Sequence, residues 1–267
     1  MVTPTPAPYV APAPQPMPAA LPGGVQPASV LRWTPMSSVA PRKRLVMSLM
    51  GHQKTGKTHF SLEHTPRPVF YANIDLGTEG VTSKIDVADV QEVIVRYEKG
   101  KQHQEYKRLW AEVEDLYNEA LSHNSGTLVI DSESQSWELQ MLAEFGRTEQ
   151  IMPRDRGNLN SDKRAFINAC LSSDMNIVFC SRVREVWLDN KPTGAYERRG
   201  YNGLDYDCQV VAWAVKRQPK DLLGNATGEP EFGLQVMDSR LNPSMEGKTY
   251  WGAMCRFDVV MEMSWQR

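Results

Sequence analysis

Short apolar runs alternate with amphipathic stretches along most of the chain, and this pattern predicts strands that alternate with helices. The predicted buried strands are LVMSLM, VFYANID, GTLVID, NIVFCS and CQVVAWAV, and VQEVIVRY is a shorter β-like run. The predicted helices are KTHFSLEH, residues 101–122, SWELQMLAEF and DKRAFINACLSS. FGLQVM and CRFDVVMEM are predicted as further strands near the end of the chain. The pattern indicates an α/β fold: a mostly parallel central sheet flanked by helices, with late antiparallel strands.

The first residues follow a different pattern, because half of the 18 prolines in the chain lie before residue 28. Proline fixes φ and lacks an N–H group, so this tract cannot enter a helix or a sheet ladder. We therefore predict an extended tail over residues 1–30 and one folded domain over residues 31–267. The tail is either a solvated spacer or a docking peptide for a partner, such as a single-strand binding or replication protein.

Composition narrows the possible functions. The formal net charge of −2 does not mark the whole chain as a nucleic-acid binder, so any such contact must come from local clusters. The cysteines are widely spaced and form no C-x-x-C pair, which argues against a zinc site and fits a reducing compartment. No apolar run reaches the roughly 18 residues needed to span a bilayer. We find no signal-peptide pattern, so the expected location is the cytoplasm, without membrane contact.

A phosphate-binding motif lies between the first predicted strand and the first predicted helix. GHQKTGKT, at residues 51–58, matches G-x-x-x-x-G-K-[ST] at every position. Its glycines let backbone N–H groups face a phosphate, Lys57 can reach the β- and γ-phosphates, and the Thr58 hydroxyl can bind Mg²⁺. Alternatively, His52 and Lys54 are surface residues of the loop that do not contact the nucleotide. The predicted nucleotide-binding residues are Gly51, His52, Gln53, Lys54, Thr55, Gly56, Lys57, Thr58 and His59.

An acid that could complete the metal site follows another buried strand. Asp131 ends GTLVID, and ligands of open α/β sheets bind at the carboxyl ends of the strands. We predict that Asp131 holds the Mg²⁺ through a water molecule.

The order of these elements resembles one division of the P-loop proteins, in which an extra strand separates the two motifs in the sheet. Asp131 is followed by Ser132, as in the RecA-like ATPases, and not by the glutamate typical of AAA+ machines. His52 stands where partition ATPases carry a lysine. Residues 42–262 resemble the compact RecA-like ATPases of many bacteriophages, which are linked to single-strand annealing and recombination. The resemblance implies ATP and Mg²⁺ as cofactors, ATPase activity, homo-oligomers and, for a phage protein, the host cytoplasm.

The resemblance also suggests which acid activates the attacking water. RecA-like ATPases carry a catalytic glutamate after the strand that follows the P-loop helix. Glu79 is favoured for this role, and Asp75 is the alternative; each could instead be an ordinary loop acid. RecA-like proteins often have a glutamine sensor after the fourth strand, where this chain has Ser181 and Arg182.

Two basic segments are candidates for binding DNA. The connection after NIVFCS mixes cations with aromatic residues, the chemistry of single-strand binding, and the resemblance implies a DNA loop there and in FGRTEQIMPRDRGNLNSDKR. The alternatives are a solvated β-hairpin or an oligomer contact, because acids dilute the charge. The predicted DNA-binding residues are Arg154, Arg156, Arg184, Trp187, Tyr196, Arg198, Arg199 and Tyr201.

Arg240 follows a late strand, and the resemblance makes it a candidate to reach the ATP of a neighbouring subunit; the alternative is a surface salt bridge. The main hypothesis is an Mg²⁺-dependent ATPase that acts on single-stranded DNA. Because the resemblance to RecA recombinases covers only their ATPase core, annealing or loading is favoured over strand exchange. The alternatives are a nucleotide-gated interaction protein, which hydrolyses little ATP and recruits a replication partner, and a small-molecule kinase.

Overall fold

The computed structural model describes residues 43–78, 80–220 and 223–266. The predicted tail and Glu79 therefore lie outside the described residues. The strands are β1 Val46–Met50, β2 Val69–Asn73, β3 Val90–Ile94, β4 Thr127–Asp131, β5 Asn176–Ser181, β6 Val183–Leu188, β7 Lys191–Arg198, β8 Val210–Arg217, β9 Glu231–Ser239 and β10 Thr249–Trp251. The α-helices are α1 Lys57–Leu62, α2 His103–Ser122, α3 Glu133–Phe145, α4 Gly157–Ser172, α5 Leu204–Asp207 and α6 Phe257–Ser264. Short 3₁₀ helices cover Pro153–Arg156, Pro243–Met245 and Gly252–Met254.

The central sheet has the order β10-β9-β8-β1-β5-β4-β2-β3. Neighbouring strands from β8 to β3 run parallel, and β9 and β10 are antiparallel to their neighbours. The predicted mostly parallel α/β fold with late antiparallel strands is therefore confirmed. Strand β5 lies between β1, which leads into the P-loop, and β4, which ends at Asp131. The two motifs are thus separated by one strand, as their order along the chain indicated.

Helices cover both faces of the sheet, which explains why its central strands are almost continuously apolar. Strand β1 is buried along its whole length, and its side chains alternate between two cores. Val46 joins the core that contains residues of α2, α3 and α4. Met47 and Leu49 join the core that contains residues of α1 and α6. The sheet is therefore packed between two helical layers, and the loops at the carboxyl ends of its strands are left at the surface.

The prediction of a final strand at CRFDVVMEM is wrong, because most of this segment forms helix α6. The adjacent valines suggested a strand. The buried residues are Phe257, Val260 and Ser264, whose spacing of three and four residues places them on one face of a helix. Asp258 in the first helical turn also favours the helical form.

The two predicted DNA-binding segments are more ordered than loops. The connection after β5 forms an antiparallel hairpin of β6 and β7, which we call the ribbon. Its turn contains Asp189 and Asn190 with φ of +50° and +59°, values suited to a tight type I′ turn. The second segment is less of a loop than predicted, because the helix predicted at DKRAFINACLSS, which includes Lys163 and Arg164, already begins at Gly157 as α4. Strand β10 was not predicted.

Three of the four cysteines lie in the core of the protein. Cys170, Cys180 and Cys208 are buried as free thiols, and Cys255 is half-buried. In the described ranges, no helix is both long enough and apolar enough to cross a membrane.

Candidate nucleotide-binding site

The loop between β1 and α1 leaves no room for side chains at its two glycines. A Cβ atom on Gly51 would lie 2.7 Å from the carbonyl oxygen of Ala214, and one on Gly56 would lie 3.1 Å from the Phe232 ring. Gly56 also has a φ of +87°, which favours glycine. The Thr55 hydroxyl closes the loop by donating to the His52 carbonyl at 2.8 Å. The glycines of the motif are therefore required by this local geometry.

Lys57 lies across the loop and is held by its backbone. Its Nζ donates to the carbonyl oxygens of Gly51 at 3.0 Å and of His52 at 2.8 Å. An ammonium group has three protons, so one donor remains after these two contacts. Burial lowers the pKa of Lys57, while Cys180 and Asp131 act in the opposite direction. The remaining donor could bind an incoming phosphate.

Asp131 and Thr58 meet at the carboxyl edge of the sheet. The Thr58 hydroxyl donates to Asp131 Oδ2 at 2.6 Å, and the Tyr71 hydroxyl donates to the same oxygen at 3.3 Å. Burial raises the pKa of Asp131, although Thr58, Lys57 and Tyr71 each act to lower it. Tyr71 was missed from the sequence, because only the pairing of β2 with β4 brings it beside Asp131.

The donor set fits Mg²⁺. A carboxylate and a hydroxyl are hard oxygen ligands, and Mg²⁺ in proteins is commonly bound by one or two carboxylates together with substrate phosphates. Within the described part of the chain, no group of three or more histidine, cysteine, aspartate or glutamate residues is placed to bind a metal. Thr58 and Asp131 therefore offer a site that a nucleotide phosphate would complete.

Asp75 and Arg182 form an ion pair at the same edge. Asp75 lies just beyond β2, and its backbone N–H donates to the Asp131 carbonyl at 3.1 Å. Arg182 directly follows β5, and its guanidinium contacts both carboxylate oxygens of Asp75, with Nε 3.4 Å from Oδ2. The structure thus brings the alternative base and the residue at the sensor position into direct contact. Glu79, the favoured base, stays a prediction.

The remaining residues of the motif face outward. Gln53 and Lys54 are exposed, and Lys54 has a φ of +59°. His59 lies in α1 with its Nε2 2.9 Å from a Glu63 oxygen. His52 packs its ring edge-on against Tyr196 of the ribbon, with 4.5 Å between ring centroids. This contact connects the P-loop directly to the ribbon.

The outer part of the ribbon presents aromatic side chains to solvent. Trp187 is 60% exposed and Tyr196 is 41% exposed. Arg184 is also exposed, but its Nε lies 2.8 Å from a Glu197 oxygen on the facing strand. These three residues remain available to a ligand on the surface.

Arg198 and Tyr201 lack the exposure that the DNA-binding prediction requires, since they are 7% and 5% exposed. The Arg198 side chain donates to the Tyr201 carbonyl and to Asp205 Oδ1, the latter at 3.0 Å. The Tyr201 ring packs against Trp137 with 5.4 Å between centroids. Their position at the base of the ribbon, inside the protein, follows from tertiary packing and has no signal in the local sequence.

The other predicted DNA-binding residues differ in how exposed they are to solvent. Arg199 is exposed and lies 3.3 Å from a Glu138 oxygen. Arg154 is exposed on the 3₁₀ helix before α4. Arg156 is half-buried and donates to the Ile151 carbonyl at 3.4 Å. Arg154 and Arg199 are therefore the more accessible cations.

Arg240 lies near the amino end of β8, at the opposite end of the strands from the P-loop. Its backbone N–H donates to the carbonyl of Gln209, just before β8, whereas β8 reaches the P-loop edge at its other end. Its guanidinium carbon is 5.4 Å from the centre of the Tyr206 ring. Arg240 cannot reach the nucleotide site of its own chain.

No protein-family model matches the chain, and no curated protein matches it. Among solved structures, the chain is similar to the crystal structure of the RadB recombinase at 13% sequence identity, over 78% of this chain and 86% of that chain, with a TM-score of 0.41. A likeness of this size assigns no activity. The case for a nucleotide site comes from the geometry of Lys57, Thr58 and Asp131.

Proposed function

We propose that this chain is an Mg²⁺-dependent RecA-like ATPase that acts on single-stranded DNA. Its role would be in recombination, annealing or replication, of the kind that the resemblance to phage-encoded proteins implies. The observation that carries the proposal is the convergence at one sheet edge of a P-loop, its buried lysine and a hydroxyl–carboxylate pair 2.6 Å apart. This combination matches what a nucleoside triphosphate and Mg²⁺ require.

Each part of the site has a defined task in this proposal. The P-loop backbone and Lys57 bind the phosphates, and Lys57 stabilises the negative charge that develops during transfer. Thr58 and Asp131 would hold Mg²⁺, Asp131 through water. Bound Mg²⁺ supplies charge neutralisation on the β- and γ-phosphates. Glu79 is proposed to orient the attacking water, with Asp75 as the alternative.

The ribbon supports the DNA part of the proposal. Its exposed Trp187 and Tyr196 can stack on bases, while Arg184 and Arg199 can contact phosphates. Tyr196 also touches His52 of the P-loop, so bound DNA and bound nucleotide would be in contact through one aromatic pair. We propose further that the chain forms homo-oligomers in the host cytoplasm and that its N-terminal tail recruits a single-strand binding or replication protein.

ATP hydrolysis by the purified protein, with Mg²⁺ and with EDTA, tests the enzymatic part. We expect Mg²⁺-dependent turnover that Lys57→Ala abolishes, while Lys107→Ala, which removes an exposed lysine on α2, leaves it unchanged. Circular dichroism would show that both variants fold. Equal turnover by the parent and Lys57→Ala would eliminate the P-loop assignment.

Fluorescence anisotropy with a short single-stranded oligonucleotide tests the DNA part. Loss of one stacked aromatic costs roughly 1–3 kcal/mol, so Trp187→Ala should weaken binding by about 5- to 150-fold. Tyr206→Ala, which removes an exposed aromatic outside the ribbon, serves as the control. Removing both Arg184 and Arg199 should flatten the salt dependence, because fewer counterions are released. An unmutated protein that binds no oligonucleotide with or without ATP has no DNA role.

One observation favours a second function, that of a nucleotide-gated interaction protein. Asp75 is already paired with Arg182, so this carboxylate is not free to orient water. If Glu79 is not the base either, the chain would bind ATP and hydrolyse it slowly. Nucleotide binding without turnover, together with nucleotide-dependent capture of a replication protein by the full chain, would support this function over the first.

A further inference from the structure

A cleft of about 240 Å³ opens to solvent between helices α2, α3 and α4. Its lining residues recur at spacings of three and four along each helix, so each helix presents one face to it. A water molecule takes roughly 30 Å³, so the cleft has room for a flexible chain of about six heavy atoms. At 1.5 Å per residue, the α3 part of the lining begins roughly 10 Å along the helix from Glu133, so the cleft is separate from the nucleotide site.

The cleft is acidic. Three of its lining side chains are exposed carboxylates, one from each helix: Glu114, Glu144 and Asp162. Among the described residues that line the cleft, Lys107 is the one cation, which leaves an excess of two negative charges. In the described ranges, no group of three or more acidic, histidine or cysteine residues is placed to hold a metal ion. The negative charge is therefore spread too widely for one metal ion and suits an extended organic cation.

The carboxylates of two helices act on each other across the cleft. Burial raises the pKa of Glu114, and the charges of Asp162 and Asp115 act in the same direction, while a hydrogen bond from Trp110 acts to lower it. Asp162 belongs to α4 and Glu114 to α2, so two like charges from different helices face the same space. A cation placed between them would replace this repulsion with attraction.

A buried amide is the independent observation that points to a ligand. Gln140 is 4% exposed and forms part of the cleft wall. Among the described residues, its Oε1 has no hydrogen-bond partner. A buried oxygen without a donor is costly, and such groups are uncommon in native proteins. An N–H donor that enters the cleft would satisfy this oxygen, whereas an anion would not.

The remaining walls are suited to a hydrocarbon chain. Trp110 is half-buried, and its orientation is fixed by its hydrogen bond to Glu114 and by an edge-on contact with Tyr117, with 6.5 Å between ring centroids. Ala143 and Leu159 are buried beside it in the lining. Aromatic ring faces attract ammonium groups, and the methylene groups of an alkylammonium pack well on apolar walls.

We propose that this cleft binds an aliphatic diamine. One ammonium group would lie between Glu114 and Asp162. The other would donate to Gln140 Oε1 beside Glu144, which is one turn further along α3. The methylene chain would pack on Trp110. Two ammonium groups match the excess of two negative charges, and the inference does not depend on ATP hydrolysis.

Isothermal titration calorimetry of the full chain at fixed ionic strength tests the proposal, with 1,4-diaminobutane and butylamine as the two probes. Butylamine has the same alkyl chain and one ammonium group, as the lysine side chain has. The diamine should bind at one site, about tenfold or more tightly than butylamine, because a charge-assisted hydrogen bond is lost with the second amine.

Substitutions in the cleft should act on this binding. Glu114→Gln and Asp162→Asn remove charge at exposed positions, so each should weaken diamine binding by about tenfold. Gln140→Met keeps the length of the side chain and removes the unpartnered oxygen. It should weaken diamine binding and raise the melting temperature of the ligand-free protein. Glu119→Gln, at an exposed position of α2 outside the lining, is the matched control and should change neither quantity.

Weaker binding by a more stable Gln140→Met protein cannot come from misfolding, so this variant keeps the test decisive. The proposal is overturned if the parent protein does not bind the diamine. It is also overturned if Gln140→Met and Glu114→Gln bind the diamine as tightly as the parent, which would show general attraction to an acidic surface. Butylamine that binds as tightly as the diamine would overturn it in favour of a lysine side chain from another protein. None of these outcomes affects the proposed nucleotide site.

Discussion

The carboxylate of Asp131 is buried and has little access to water. Its residue is 2% exposed, and burial raises its pKa above the ordinary value of the unfolded chain. Between those two pKa values, the folded state binds more protons than the unfolded state. The contribution of Asp131 to stability is therefore most favourable at low pH and falls as the pH rises through this window. At neutral pH, the charge that would hold Mg²⁺ lowers the stability of the free protein.

Asp131→Asn separates these two effects. The amide keeps the shape of the side chain and removes the buried charge, so we expect a higher melting temperature for the nucleotide-free protein at neutral pH. ATP turnover should fall by about 100-fold or more, because metal-based charge stabilisation contributes several kcal/mol. Thermal unfolding and hydrolysis assays measure both quantities. Asp155→Asn, at an exposed position, is the control. A lower melting temperature for Asp131→Asn would contradict the pKa direction.

The identity of the base is a second question at the residue scale. Glu79→Gln keeps the side-chain shape but cannot accept a proton, so turnover should fall by roughly 100-fold while ATP still binds. Asp75→Asn is the matched comparison, since it removes the other candidate carboxylate. If Asp75→Asn stops turnover and Glu79→Gln does not, the two roles are exchanged. If neither does, the base lies elsewhere.

Among the elements, the base of the ribbon is joined to two helices by buried charges. Glu133 of α3 is fully buried, with one oxygen 3.5 Å from Lys163 Nζ of α4 and the other 3.9 Å from the Arg198 guanidinium of β7. Asp205 accepts a hydrogen bond from Arg198 and another from Ser48 of β1, at 3.0 and 2.8 Å. Helices α3, α4 and α5, strand β7 of the ribbon and the P-loop strand β1 therefore meet in one charge cluster.

A double-mutant cycle measures this coupling. Glu133→Gln leaves the buried Lys163 ammonium without its counter-ion, so it should lower the free energy of unfolding by about 3–5 kcal/mol. Lys163→Met leaves Glu133 with Arg198 as its remaining cation, so it should also be destabilising, but by less. The double variant should lose clearly less than the sum, because Arg198 keeps Asp205 as its partner. Urea unfolding of the four proteins gives the values. Additive losses would show that the charges do not act as a cluster.

The sequence predicts an element well when both faces of that element are buried. It predicts an element poorly when the burial of its residues depends on a partner that is distant in the chain. The apolar run NIVFCS forms β5 with the predicted bounds, because both of its faces are covered. The segment CRFDVVMEM has strand-like valines, and its helical form depends on packing Phe257 and Val260 against the core. The burial of Arg198 could not be predicted either, since its partner Glu133 is 65 residues away in the chain. The P-loop was predictable because its chemistry is contained in eight consecutive residues.

Across the whole molecule, the directions of the strands place the proposed nucleotide site and Arg240 at opposite ends of the strands. The P-loop and Asp131 follow the carboxyl ends of β1 and β4. Strand β9 runs antiparallel to β8, so Arg240 emerges at the other edge. The sequence shows only that Arg240 follows a late strand. The register of the sheet excludes action on its own nucleotide, so the proposed role of Arg240 would require the site of a neighbouring subunit in a head-to-tail assembly.

Mixing two inactive variants tests this arrangement. Lys57→Ala disables the nucleotide site but keeps Arg240, whereas Arg240→Ala keeps the site but lacks the arginine that a neighbour would receive. We expect each protein alone to hydrolyse ATP poorly. An equal mixture should recover activity at about a quarter of its interfaces, where an intact site meets an intact Arg240 in a head-to-tail assembly. Size-exclusion chromatography with light scattering establishes that the variants assemble. A mixture no more active than its components, although assembled, would show that Arg240 has no role in trans. Full activity of Arg240→Ala alone would place it among ordinary surface arginines beside Tyr206.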